Sequence, residues 1–336
     1  MKEPDHWSRC IHEIFLNAYE RAKKSSGMTR EMPVVLMFVV DAKEIDAYCE
    51  KVEDLVYKIT LNSGLFQSLN RLFRAILANP LTFPSIGNFL LESPGKEKRS
   101  ISFGKLVEEI QEGENRIPND ETRLGFADHL TELAIRFVVE HELAHILAGH
   151  LDYKPMCSEI LGFADKAGIG EQESFGLEMH ADELAFTNCL FWITDTLQGK
   201  EQALPKRIFI KTVDAQIHDL YTATYTFFQL VSHLSMSKTH PNPVHRQIRL
   251  GMILTWFCKT FEVELKLRNK PYELVSQVLY GIDSYMKTVF AVDWSDRQQD
   301  AEYILTNQMD SEIKPYSEMV SSLYPTLEPY AFIELR

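Results

Sequence analysis

A chain of 336 residues, 45% hydrophobic and 25% charged, has the balance of an ordinary globular protein and enough length to bury a large core in one or two domains. Its formal net charge of −13 argues against nucleic acid and anionic lipid as partners. The five cysteines (Cys10, Cys49, Cys157, Cys189, Cys258) lack CxxC spacing, the N-terminus lacks an apolar signal core, and no apolar run is long enough to cross a bilayer; a soluble, cytoplasmic protein with free thiols is expected.

The predicted elements begin with an amphipathic helix over Trp7–Lys24, closed by Ser25, Ser26 and Gly27. Val34–Val40 is rich in β-branched residues and reads as a buried strand. Lys43–Leu61 and Leu65–Ala78 read as helices, the second stopped by Asn79 and Pro80. Residues 79–100 carry Pro80, Pro84, Pro94, Gly87, Gly95 and a basic patch at Lys96–Arg99, and read as a loop-rich linker. A short strand is expected at Ser100–Phe103 or at residues 114–118.

Leu124–His150 is one long helical run. Leu130, Leu133, Ala134, Phe137 and Val138 recur at helical spacing, Asn119 or Asp120 can cap its start, and Gly149 sits near its end. Tyr153–Gly176 reads as a glycine-bearing loop, either a lid or a passive connection, and Glu173–Thr196 as a second buried helix. Helices are expected over residues 211–236 and Val244–Phe261. Residues 270–336 read as mostly helical, a packing or partner-binding appendage without a chemical motif. The whole is mainly α with a small β-sheet, an α+β fold. Residues 1–112 form an N-terminal region, 113–260 the core and 261–336 a C-terminal helical region; the three also read as one compact domain.

The chemistry sits at residues 141–145, His-Glu-Leu-Ala-His. Histidines four apart lie one turn above each other on one helix face and can share a metal ion. Glu142, beside the first of them, can reach a metal-bound water, which is the arrangement of zinc metallopeptidases. A third ligand is expected from the next helix, where Glu178 and Asp182 share a face; Glu178 can bind the metal while Asp182 accepts a hydrogen bond from the far nitrogen of a ligand histidine. A solvated acidic face is the alternative, disfavoured by the apolar Leu184, Ala185, Phe186, Cys189 and Leu190 that follow. His150 is expected to end the first helix, favoured by the negative end of the dipole. His180 is expected on a different face from Glu178.

In order along the chain, His141-Glu-Leu-Ala-His145, Glu178-Met-His-Ala-Asp182 and Thr239-His-Pro-Asn-Pro-Val-His-Arg246 resemble the gluzincin metallopeptidases related to CAAX prenyl proteases and the heat-shock membrane protease HtpX. That group carries a HExxH helix, an ExxAD helix, and a His-Pro element followed by an arginine six residues after its histidine; His240 and Arg246 keep that separation. The resemblance implies a zincin core of the minigluzincin kind with helical flanks. It implies zinc held by His141, His145 and Glu178 with water in the fourth position, Glu142 as general base, His240 as oxyanion donor, and Arg246 pairing with Asp182 or Glu142. Tyr221 or Tyr225 is the alternative oxyanion donor. The chain departs from the group in having no transmembrane helix and a short spacing between His145 and Glu178.

Size and layout also look like the phage-exclusion peptidases of the Lit type. The expected activity is therefore a zinc-dependent endopeptidase acting on a protein or peptide, of phage-defence or toxin type, without membrane insertion. Two alternatives stand beside it. A repressor-cleaving peptidase of the ImmA kind is disfavoured by the depth of His141 in the chain, and a non-catalytic zinc-binding interaction protein on the same scaffold by the presence of Glu142.

Overall fold

In the computed structural model the described residues are 4–24, 27–92, 107–110, 112, 116–153, 158–159, 171–199, 212–234, 243–261 and 314–335. The elements are α1 (Pro4–Lys24), β1 (Val34–Val40), β2 (Ala47–Glu53), β3 (Val56–Asn62), α2 (Ser63–Leu77), α3 (Glu121–Leu147), α4 (His150–Tyr153), β4 (Ser158–Glu159), α5 (Glu171–Leu197), α6 (Val213–Leu234), α7 (Pro243–Thr260) and α8 (Lys314–Leu327). The protein is mainly α with a small β-sheet, as its sequence predicts.

Every residue of α3 from Phe126 to Leu147 is buried. A helix covered all round cannot be amphipathic, and its polar side chains need partners from each side. They have them. Asp128 accepts from Asn70 and Arg74 of α2, at 3.0 and 3.1 Å. His129 Nε2 lies 3.3 Å from Asp219 of α6. Arg136 donates to Asn17 of α1 at 2.9 Å and lies over the Trp192 ring of α5. α3 thus runs through the molecule with α1, α2, α5 and α6 packed around it and the sheet across one side.

The helix expected over Lys43–Leu61 is instead a β-hairpin, β2 and β3. Alternation decides it. Ala47, Cys49, Tyr57, Ile59 and Leu61 all point inward and are fully buried, while Glu50 and Lys58 pair on the outer face. Leu55 makes the turn at φ 58. The charged stretch from Glu50 to Asp54 resembles a solvated helix face, which hides the period of two. β1 pairs with β3 in parallel, Val34 opposite Val56, and the sheet order is β1-β3-β2-β4. β1 is an edge strand and not fully buried: Val35 faces the core, but Val34, Leu36, Phe38 and Val40 are exposed. The short strand expected at Ser100–Phe103 lies outside the described residues. Residues 116–118 form no strand, and the fourth strand is β4.

The entry to α3 is fixed from two directions. The Asp120 side chain accepts from Arg123 N at 2.9 Å and caps the helix, and Glu92 accepts from the backbone of Asn119 and Asp120. Fully buried Arg123 then gathers the loop after α2. Its guanidinium donates to the carbonyls of Leu77, Asn79, Thr82, Phe83 and Ile86 at 2.7–3.0 Å.

The far end of α3 is held by the C-terminal segment. α3 stops at Leu147, and Gly149 turns the chain at φ +75. Phe332 N donates to Leu147 O at 2.7 Å, and Phe332 O accepts from Thr29 N at 2.9 Å. Phe332 is itself fully buried, edge-on to Tyr57. The described part of the expected appendage is therefore packed between the N-terminal region and the end of α3. Gly176, where the expected loop and the expected helix overlap, lies inside α5 against Met319 and Leu323 of α8.

Replacing Arg123 with methionine should remove a buried donor from five carbonyls and the cation 3.6 Å from Glu92. Stability should fall by about 3–5 kcal/mol, as when one member of a buried ionic network is removed. Urea unfolding of the variant against wild type measures it; a change below about 1 kcal/mol would mean that water satisfies the loop equally well.

Candidate metal centre

α3 and α5 lie along one another, and the residues that face each other across this seam are polar. His141 and His145, one turn apart on α3, point their Nε2 atoms at the same gap, 3.1 Å from each other. Glu178 of α5 straddles it, with Oε2 3.5 Å from His141 Nε2 and Oε1 3.5 Å from His145 Nε2. Donor atoms on a tetrahedral ion with bonds of about 2.0–2.1 Å stand about 3.3 Å apart, so this spacing fits a zinc-sized cation. All three side chains are buried, and the group can hold a metal ion.

Each of these two histidines is held from behind. His141 Nδ1 lies 3.0 Å from Asp182 Oδ1. Asp182 in turn accepts two bonds from Arg246 of α7, from Nε and Nη2, both at 2.6 Å. Arg246 lies over the Phe228 ring of α6, 4.1 Å from its centre. His145 Nδ1 meets His150 Nδ1 at 2.9 Å. Glu142, beside His141 on α3, is 1% exposed and belongs to the same buried layer.

The electrostatics favour a positive charge in the gap. Burial opposes protonation of His141, but Asp182 and Glu178 outweigh it and hold its pKa up at about 10. Burial, and then the neighbouring histidine, drives His145 and His150 well below the usual imidazole range. Burial pushes Asp182 upward, yet Arg246 overrides it and keeps the carboxyl below its usual range. Two facing carboxylates against one guanidinium leave an excess of negative charge between two imidazoles. A proton answers that field, and so does a divalent cation held by neutral imidazoles and a carboxylate.

The structure thus brings together His141, His145, Glu178, Asp182 and Arg246, with Glu142 on the same helix. His240 lies outside the described residues. The Tyr221 hydroxyl donates to the Gln247 carbonyl at 2.7 Å. Tyr225 is buried in the core on α6. His150 does not end α3. It opens α4 beyond Gly149, fully buried, and its ring faces His145. His180 leaves the face of Glu178 but meets His150 Nε2 through Nδ1 at 3.0 Å. Only the first histidine after the HExxH pattern and the histidine between Glu178 and Asp182 signalled this pairing, and helix periodicity separates them from the candidate ligands.

No protein-family profile, curated protein or solved structure matches the chain.

Asp182→Asn removes the carboxylate that orients His141 and receives Arg246. Metal affinity, measured by chelator competition, should fall about 10–100-fold, the usual cost of losing an outer-shell carboxylate. Affinity within twofold of wild type would show that Asp182 only anchors Arg246.

Proposed function

We propose that this chain is a zinc-dependent endopeptidase of the gluzincin kind, acting on a protein substrate in a reducing cytoplasm. The observation that carries the reading is the convergence of His141, His145 and Glu178 on one buried gap, with Glu142 on the same helix turn. Two imidazoles and one carboxylate are the ligand set of catalytic zinc, which leaves a coordination position open; structural zinc takes four ligands and is rich in cysteine. His141, His145 and Glu178 would hold the ion, and zinc bound there would supply Lewis acidity that polarises a carbonyl and acidifies water.

The residues around it have separable tasks. The Glu142 carboxylate takes a proton from the attacking water and returns it to the leaving nitrogen. Asp182 fixes the ring of His141 and is fixed by Arg246. His240 is the second oxyanion donor that the family resemblance implies. A general base at position 142 has no use in a metal-binding scaffold that does no chemistry, which favours the enzyme over a non-catalytic zinc protein. Cys10, Cys49, Cys189 and Cys258 are free and buried, which suits a reducing compartment. Among the described residues no helix is long and apolar enough to cross a membrane.

Glu142→Gln should bind zinc as wild type does and lose turnover by about a hundredfold or more. Elemental analysis checks the first part. For the second, wild type and variant are expressed in the same cells and their proteomes compared for new protein termini. Termini found with wild type and missing with Glu142→Gln identify the substrate; identical termini from two zinc-loaded proteins would leave a metal-binding protein without peptidase activity.

A further inference from the structure

Histidines continue past the metal centre in single file. His145 Nδ1 meets His150 Nδ1 at 2.9 Å, and His150 Nε2 meets His180 Nδ1 at 3.0 Å. The three side chains are all but completely buried. The file ends on α8, where the Tyr324 ring packs on His180 with centroids 5.1 Å apart. Resting on the metal reading above, we infer that His150 and His180 are positioning residues for the metal. The file His145–His150–His180, packed against Tyr324, holds the His145 ring with Nε2 toward the gap and offers its Nδ1 proton an acceptor once a cation takes the Nε2 lone pair.

The argument is one of hydrogen-bond parity. A neutral imidazole has one N–H and one lone pair, on opposite nitrogens. A file of three such rings therefore has two consistent arrangements. In one, every proton points outward from the gap: His145 donates from Nδ1 to His150, and His150 donates from Nε2 to His180. In the other every proton points inward, and His145 presents an N–H where a ligand atom is needed. A cation at the gap requires the lone pair of His145 Nε2 and so selects the outward arrangement for all three rings. His141 gets its orientation from Asp182, and His145 gets the same service from His150.

The outer partners are placed by features distant in sequence. His150 is held at its turn by Gly149, whose added Cβ would stand 2.5 Å from the Tyr330 carbonyl carbon. Tyr324 reaches His180 because α8 lies close on α5: a Cβ on Gly176 would stand 2.8 Å from Leu323 Cδ1. A filler role for His150 would ask only for volume. It would not ask for two hydrogen bonds at opposite ring nitrogens, each to another histidine.

The test is nitrogen-15 NMR of the full-length, histidine-labelled protein loaded with zinc, reading each ring's tautomer from its nitrogen shifts and couplings. His145 should carry its proton on Nδ1, and His150 and His180 theirs on Nε2. Zinc-loaded protein with His150 protonated on Nδ1 overturns the inference and leaves the metal reading intact. Wild type that takes up no zinc overturns the metal reading, and this one with it. Variants supply the second measurement. His150→Leu should weaken zinc binding about 10–100-fold in chelator competition and shift the visible bands of the cobalt-substituted protein. His150→Asn, whose Oδ1 stands near the position of Nδ1, should recover most of that loss. Folded His150→Leu with affinity within twofold and an unchanged cobalt spectrum, or His150→Asn no better than His150→Leu, would reduce His150 to packing.

Discussion

The burial of α3 is the constraint from which the rest of the architecture follows. A helix that carries Asp128, His129, Arg136, Glu140, His141, Glu142 and His145 into the interior leaves each of them costly unless it is paired. Each neighbouring element answers a different one. α2 brings Arg74 to Asp128, α6 brings Asp219 to His129, α1 brings Asn17 to Arg136, and α5 brings Glu178 and Asp182 to His141. The positions of the helices around α3 are thus specified by charge as well as by shape. A shift of one helix would strand a buried ion, a far steeper penalty than a repacked leucine.

At the candidate metal centre the buried pairing brings imidazoles and carboxylates together. Arg74 and Asp128, or Arg246 and Asp182, balance locally. Glu178 faces the imidazoles of His141 and His145 across the gap. A site of this kind is stabilised by whatever cation it binds, since a cation held by the folded state alone shifts the folding equilibrium toward it.

Part of this was legible in the sequence, and for definite reasons. His141, Glu142 and His145 are read from spacing because a helix turns spacing into proximity. Glu178 and Asp182 follow by the same rule on the second helix, and Asp120 by the chemistry of a helix start. The hairpin Ala47–Asn62 was not legible, because Glu50, Lys51, Glu53 and Asp54 place charge at positions that suit a helix surface as well as the outer face of a sheet. The neighbours of His145 were hidden for another reason. His150 reaches it only because Gly149 breaks the helix with a positive φ, and His180 reaches His150 from a helix whose own periodicity points it away from Glu178. Contacts made across a broken helix or between helices carry no sequence period.

The same limit hides what the C-terminal segment packs on. Residues 314–335 have no chemical motif, and a packing or partner-binding appendage read from sequence names no contact. Yet Phe332 fills the interior between Tyr57 and the end of α3, its N–H takes the Leu147 carbonyl, and its own carbonyl takes Thr29 N–H. Arg30 adds a bond to the Tyr330 carbonyl at 2.8 Å. One strap therefore joins the N-terminal region, the exit of α3 and, through Tyr324, the outermost histidine. The helix that carries two of the candidate ligands is fixed at its start by Asp120 and Arg123 and at its exit by residues almost two hundred positions downstream. Two candidate ligands on α3 and one on α5 share a gap only while both helices keep their register, and α8 packs on α5 while the strap crosses the exit of α3. The chain's last described turn is thereby part of what keeps the imidazoles and the carboxylate face to face.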